Sequence, residues 1–294
     1  MVQDHSARVT RVIAVGNQKG GVAKTTNAVH VATALGAMGR RCLIWDLDMN
    51  HGATLHFGIP SESFLGTFEI LIGEEQPIDV IITRDDEDIE LPENVHLIAA
   101  RRNLEKIDQA LVAKNKFLIT QDVLIKPIQS LRGQYDYIFL DTAPNATTPT
   151  IAAYKAAEWF ILSAMPDPFA IAGLNDALAD IQDAQRHGNQ SLRLLGVILS
   201  GVDKRTRLAN TLNEYVGQIF SPDGQKSAKF KTTVSRSTVV PQAQKQGKTL
   251  FQTHPTHMVT EQYREIAREI EERLDEFSEN SVTGEPHGVQ IASR

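Results

Sequence analysis

Apolar residues fall along this chain in two alternating rhythms. Short, nearly unbroken apolar runs at 12–15, 41–48, 94–100, 135–141, 157–164 and 194–200 read as strands buried on both faces. Between them the spacing turns helical. Ala28, Val31, Ala32 and Leu35 share one face, and Gly39 closes the segment. Further helical stretches are expected at 68–72 (ending at Gly73), 101–111, 116–131 (Phe117, Val123, Leu124, Ile128, Leu131), 169–185 and 256–277. The last carries an apolar stripe of Val259, Tyr263, Ile266, Ile270, Leu274 and Phe277. Strand–helix alternation from end to end predicts an α/β fold with a mostly parallel twisted sheet and helices on both faces. Residues 1–277 read as a single domain. Residues 278–294 are polar, contain Gly284, Pro286 and Gly288, and read as a disordered tail.

Composition narrows the class. The chain has 294 residues, of which 41% are hydrophobic, an ordinary share for a globular protein. No apolar run approaches the roughly 20 residues of a membrane span, and residues 1–11 lack a signal-peptide core. A cytoplasmic protein with no membrane partner is the expectation. The single cysteine, Cys42, lies in an apolar run and reads as a core residue. The net charge of −6 argues against a uniformly basic nucleic-acid binder. Charge is uneven, however. Asp85, Asp86, Glu87, Asp88, Glu90 and Glu93 form an acidic stretch, whereas 221–255 holds one acid, Asp223, against Lys226, Lys229, Lys231, Arg236, Lys245 and Lys248. Such a run is either a solvated face or a phosphate-contacting surface.

The chemistry concentrates at three strand ends. The first strand runs into Gly16-Asn17-Gln18-Lys19-Gly20-Gly21-Val22-Ala23-Lys24-Thr25-Thr26, and a helix follows. Strand, glycine-rich turn and helix is the P-loop context, so the fold expected is P-loop NTPase-like. Backbone N–H groups of Gly20, Gly21, Val22, Ala23 and Thr26 would cradle phosphate oxygens at the helix N-terminus. Lys24 would neutralise phosphate charge and Thr25 would ligate Mg²⁺. The loop departs from the usual pattern in having Gln18 at the first glycine position, Ala23 before the lysine, and a second lysine, Lys19. The 41–48 strand ends in Asp46 and Asp48, at the edge where open α/β sheets bind ligands. Asp46 reads equally as a structural acceptor. The 135–141 strand ends in Asp141, a Walker B pattern for holding Mg²⁺.

Lys19 with Gly20, Gly21, Ala23, Lys24 and Thr25 matches the deviant Walker A loop, K-G-G-x-[GA]-K-[ST]. On it the chain resembles the ParA/MinD family, and within it the ParA-type partition ATPases, over roughly 10–277. Asp46, Asp48, Ala53 and Thr54 follow the family's D-x-D-P-Q-x-x-A-T, with Met49-Asn50 replacing Pro-Gln. The resemblance implies ATP and Mg²⁺ as cofactors, with Thr25, Asp48 and Asp141 at the metal and Lys19, Lys24 and Asp48 catalytic. It implies an ATP-bound homodimer in which Lys19 reaches the partner's phosphates, non-specific DNA binding, and a ParB-like partner that stimulates slow hydrolysis. Asp203 falls near the adenine position. Arg205, Arg207, Lys229, Lys231, Arg236, Lys245 and Lys248 are the DNA candidates, Arg236 by its place in a segment similar to the family's I-x-R…G-K-x-I. Cargo would be a plasmid, a chromosome or a protein assembly, and the location nucleoid-associated. Only residues 1–11 precede the first strand, too few for the DNA-reading domain of larger plasmid members. The alternatives are a MinD-type membrane switch, a P-loop ligase or synthetase, and a nucleotide-gated binding module slowed by Ala23.

Overall fold

A computed structural model describes residues 9–86, 89–114, 122–219 and 227–283. Glu87, Asp88, Phe117, Asp223, Lys226 and 284–294, all named above, lie outside them. Seven strands form one sheet in the order β3-β4-β2-β5-β1-β6-β7. They are β1 (Arg11–Gly16), β2 (Cys42–Asp46), β3 (Ile81–Ile82), β4 (Val95–Ile98), β5 (Tyr137–Asp141), β6 (Trp159–Ala164) and β7 (Arg193–Leu199). All pairings are parallel except that of β3 with β4. The two-residue β3 is too short to show a period, and the sequence gives no sign of it.

The helices are α1 (Lys24–Ala37), α2 (Gly52–His56), α3 (Thr67–Leu71), α4 (Ile107–Lys114), α5 (Ile125–Leu131), α6 (Thr148–Ala156), α7 (Ala170–Arg186), α8 (Arg207–Ile219), α9 (Val239–Lys245), α10 (Leu250–Thr253) and α11 (Met258–Thr283). Side-chain alternation along each strand feeds two cores. Val12 and Ala14 of β1 join Leu43, Trp45, Ile138 and Leu140 on one face, with residues of α4 to α8. Ile13 and Val15 join Ile44 and Phe139 on the other, with α1 and α11. Burial on both faces is why these strands are apolar without interruption. Cys42 lies wholly in the second core, and burial pushes its thiol pKa up, so it is an unreactive packing residue.

Both sheet edges are blunted. At one lies β3. At the other, residues 228–236 run along β7: Val197 N–H donates to Ala228 O, Phe230 N–H to Val197 O, and Val234 N–H to Leu199 O. Arg273 of α11 holds that segment through the carbonyls of Leu195, Ser227, Ala228 and Lys229.

Three expected boundaries change. The 101–111 helix opens as a 3-10 turn at Arg102–Lys106 before α4 begins. Of the 116–131 helix, the described part is helical only from Ile125. The terminal helix does not stop at Phe277 but runs to Thr283, so 278–283 is not a loose tail. Phe277 stacks against Trp159 at 4.8 Å between ring centres, and Ser278 accepts a hydrogen bond from Arg11 while donating to Leu274 O. These contacts accompany the helix past Phe277.

Candidate functional site

The three neighbouring strands β2, β5 and β1 end together, and everything expected of a phosphate site follows from that register. Asp46 and Asp141 are lateral neighbours, as are Asp141 and Val15, the residue before Gly16. The carboxylates of β2 and β5 therefore meet the loop that leaves β1. Above them opens a cleft of about 560 Å³ lined by residues 20–26, Asp48, Asn50, Pro144, Met165, Ser200, Gly201, 234–237, Val240, Pro241 and Tyr263.

The loop is built on internal polar contacts. Asn17 is buried; its Nδ2 donates to Ser163 O on β6, and its Oδ1 accepts the Lys19 N–H. Lys24 folds back and donates to Lys19 O at 2.9 Å. Burial lowers the Lys24 pKa, against the opposing pull of Asp141 and then Asp48, so both carboxylates face this ammonium. Ala23 takes left-handed φ/ψ of 66° and 26° immediately before α1. Only glycine adopts that geometry freely. Gly52 at the start of α2 leaves room for Thr25, whose Oγ1 would lie 3.1 Å from a Cβ there.

The aspartates divide their work. Asp46 is fully buried and fully engaged: Oδ2 accepts from Thr54 N and Oγ1 at 2.9 and 2.8 Å, and Oδ1 from Asp48 N. That is the structural alternative for Asp46. Asp48 Oδ1 accepts from Asn50 N and Nδ2. Asp141 is different. It is buried, neither carboxylate oxygen makes a hydrogen bond of good geometry, and the nearby Thr25 hydroxyl and Lys24 ammonium offset its burial only in part. Burial and then the nearby Asp46 raise its pKa well above the usual range. An orphaned buried carboxylate beside Thr25 and a second acid fits a divalent cation, which would supply the missing partner.

The other expected residues part company. Lys19 turns away from its own cradle and pairs with Asp167, with the Phe169 ring centre 5.6 Å from its ammonium. Asp203 does not line the cleft. Arg205 holds its carboxylate through Nε and Nη2, which lowers its pKa to about 2. Arg236, expected at DNA, does line the cleft. Lys248 pairs with Glu90 at 2.6 Å, Lys231 lies 4.0 Å from Glu272, and Lys229 donates to Asn213 Oδ1. Arg207 and Lys245 are exposed.

Sequence reasoning missed Asp167, Met165, Ser200 and Tyr263. Their position at the carboxyl ends of β6 and β7, or on the helix packed behind the cleft, was the available signal. Tyr263 and Ser200 both donate to Asn27 Oδ1, and Asn27 Nδ2 donates to Ser163 Oγ. This buried network ties α11 to the helix that follows the loop.

A parallel sheet with phosphate loop, lysine and paired carboxylates at its carboxyl edge defines a P-loop ATPase, which uses ATP and Mg²⁺. The family described as "AAA domain" matches residues 10–194. The chromosome-partitioning ATPase Soj of Thermus thermophilus is 32% identical over 92% of this chain and 98% of its own. The sporulation initiation inhibitor protein Soj of Bacillus subtilis is 29% identical over 88% and 98%. Among solved structures, cobyrinic acid a,c-diamide synthase from Mycobacterium smegmatis with bound ATP analogue and magnesium aligns with a TM-score of 0.72 and 26% identity, over 88% of this chain and 93% of that one. The chain belongs to the Soj/ParA family of partition ATPases. No helix among the described residues is long and apolar enough to cross a membrane.

Proposed function

We propose that this ATPase is a nucleotide-driven dimerisation switch that binds DNA without sequence preference and positions a cargo, in the cytoplasm and on the nucleoid. The observation that carries this reading is the division of labour between the two loop lysines. Lys24 is folded into the loop's own cradle, and Lys19 lies outside it, held by Asp167. A lysine outside its own cradle suits the phosphates of a second subunit.

ATP supplies an activated phosphoanhydride, and Mg²⁺ would be held by Thr25, Asp141 and Asp48. Backbone N–H groups of 20–26 and the Lys24 ammonium would bind and orient the phosphates. Asp48, once released from Asn50, would accept a hydrogen bond from the attacking water. Lys19 of the partner would offset charge developing on the transferred group. The wall formed by 234–237, Val240, Pro241 and Tyr263 would take the base, which moves Arg236 from the DNA surface to the nucleotide. Arg207 and Lys245 remain available for DNA phosphates. Dimerisation would double such weak contacts, and a ParB-like partner would stimulate hydrolysis and reset the switch.

The α11 stripe does not supply the lipid-facing helix that the membrane alternative needs. The α11 stripe of Val259, Tyr263, Ile266, Ile270 and Leu274 is buried against the sheet. The deciding experiment is DNA retention by Lys19→Ala with Mg-ATP. Loss of ATP-dependent retention with monomer nucleotide binding intact supports the switch, and retention at wild-type affinity rules it out.

A further inference from the structure

The segment 239–253, which carries Lys245 and Lys248, is docked on the phosphate loop and on the Asp48 loop at once. Gln244 of α9 makes both connections. Its Nε2 lies 3.2 Å from Thr26 Oγ1, at the loop, and 3.4 Å from His56 Nδ1, at the end of α2. Around it the fit is close. His30 accepts the Leu250 N–H at Nε2 with a 3.2 Å separation, and so donates from Nδ1 to Thr26 O at 2.8 Å. Gly58 and Gly247 both have positive φ, 68° and 67°, and a Cβ on Gly247 would come within 2.9 Å of the Gly58 Cα. The turn after α2 therefore touches the turn after α9 backbone to backbone.

Each bond has a directional consequence. Burial and then the neighbouring His30 keep the His56 ring neutral, and in the tautomer protonated at Nε2 its Nδ1 accepts one Gln244 hydrogen across 3.4 Å. The other Gln244 hydrogen goes to Thr26, whose own hydroxyl proton is uncommitted among the described residues. Thr26 lines the cleft. A phosphate oxygen that takes the Thr26 proton makes Thr26 Oγ1 a stronger acceptor, because hydrogen bonds in a chain polarise one another. Filling of the cleft is thus felt at Gln244, the neighbour of Lys245 on α9.

Resting on the proposed switch, we infer that Gln244 is a positioning residue that couples the nucleotide state of the phosphate loop to the docking of 239–253. Its amide donors tighten the segment on α1 and α2 when the cleft is filled, fixing where Lys245 and Lys248 stand.

Amide hydrogen exchange of the full chain, with and without a non-hydrolysable Mg-ATP analogue, tests this in wild type, Gln244→Ala and Gln244→Glu. The glutamate keeps the shape and loses both donors, and it serves if the alanine variant does not fold. Wild type should gain protection across 243–250 on adding the analogue. Both variants should lose most of that gain, about tenfold in the ratio of exchange rates for one hydrogen bond lost. Their affinity for a fluorescent ATP analogue should stay within about threefold of wild type. A wild-type gain retained in either variant, or absent from wild type, overturns the coupling. DNA retention by wild type is measured separately. Its absence counts against the switch itself and leaves the exchange comparison readable.

Discussion

Lys19 and Asp167 form an ion pair across 148 residues of sequence, with side chains 31% and 26% exposed. Asp167 lies just beyond the end of β6, and the same carboxylate oxygen accepts the Phe169 N–H. The signature lysine is thus held within its own subunit, and any reach across an interface must break this pair.

Asp167→Asn should therefore favour the dimer. A half-exposed pair is worth about 1 kcal/mol or less, so the ATP concentration giving half-dimerisation should fall by up to about fivefold. Analytical ultracentrifugation across an ATP series measures it, and an unchanged or higher midpoint would count against the latch.

Asp141 predicts opposite effects on stability and on metal binding. Asp141→Asn should raise the melting temperature in metal-free buffer, because a buried carboxylate whose hydrogen-bonding capacity is mostly unfilled costs about 1 kcal/mol or more. It should also weaken Mg²⁺ binding by at least about tenfold. Thermal melts with and without Mg²⁺ read both, and a variant less stable than wild type without metal would show that Asp141 is satisfied some other way.

Ala23 holds a left-handed conformation at the start of α1. Ala23→Gly should stabilise the fold by about 1 kcal/mol in urea denaturation. Phosphate release by the same variant tests whether the methyl group slows turnover.

His30 is buried, and its pKa is lowered to about 4 from 6.5. The unfolded chain binds this proton first as pH falls, so the unfolded state carries more protons between those values and stability drops with decreasing pH. The loss reaches about 2 kcal/mol near pH 5. Melts between neutral pH and pH 5 should show that slope, and His30→Gln should flatten it apart from the share of the buried His56.

Much of this was legible because the strands are buried on both faces. Continuous apolar runs marked β1, β2, β4, β5, β6 and β7, and the residues at their carboxyl ends marked the cleft. What failed was what local pattern does not carry. Asp203 sits two residues before Arg205, and this neighbour captures it. Arg236 looked like part of a basic surface, and only the bridge of Ser235 to Val202 turns that stretch to the cleft wall. The Gln244 contact with Thr26 spans 218 residues. No periodicity encodes such pairs. The helical end past Phe277 was hidden by polar side chains, which say little about backbone order when a neighbour such as Arg11 supplies a bond.

The two blunted edges of the sheet matter beyond the fold. An open strand edge is a template for adding a foreign strand, and crowding on a scaffold makes such additions more frequent. Here β3 offers two residues and β7 is already paired with 228–236, held down by Arg273. Neither edge therefore offers a long template for a foreign strand, so the sheet itself is a poor route to self-association.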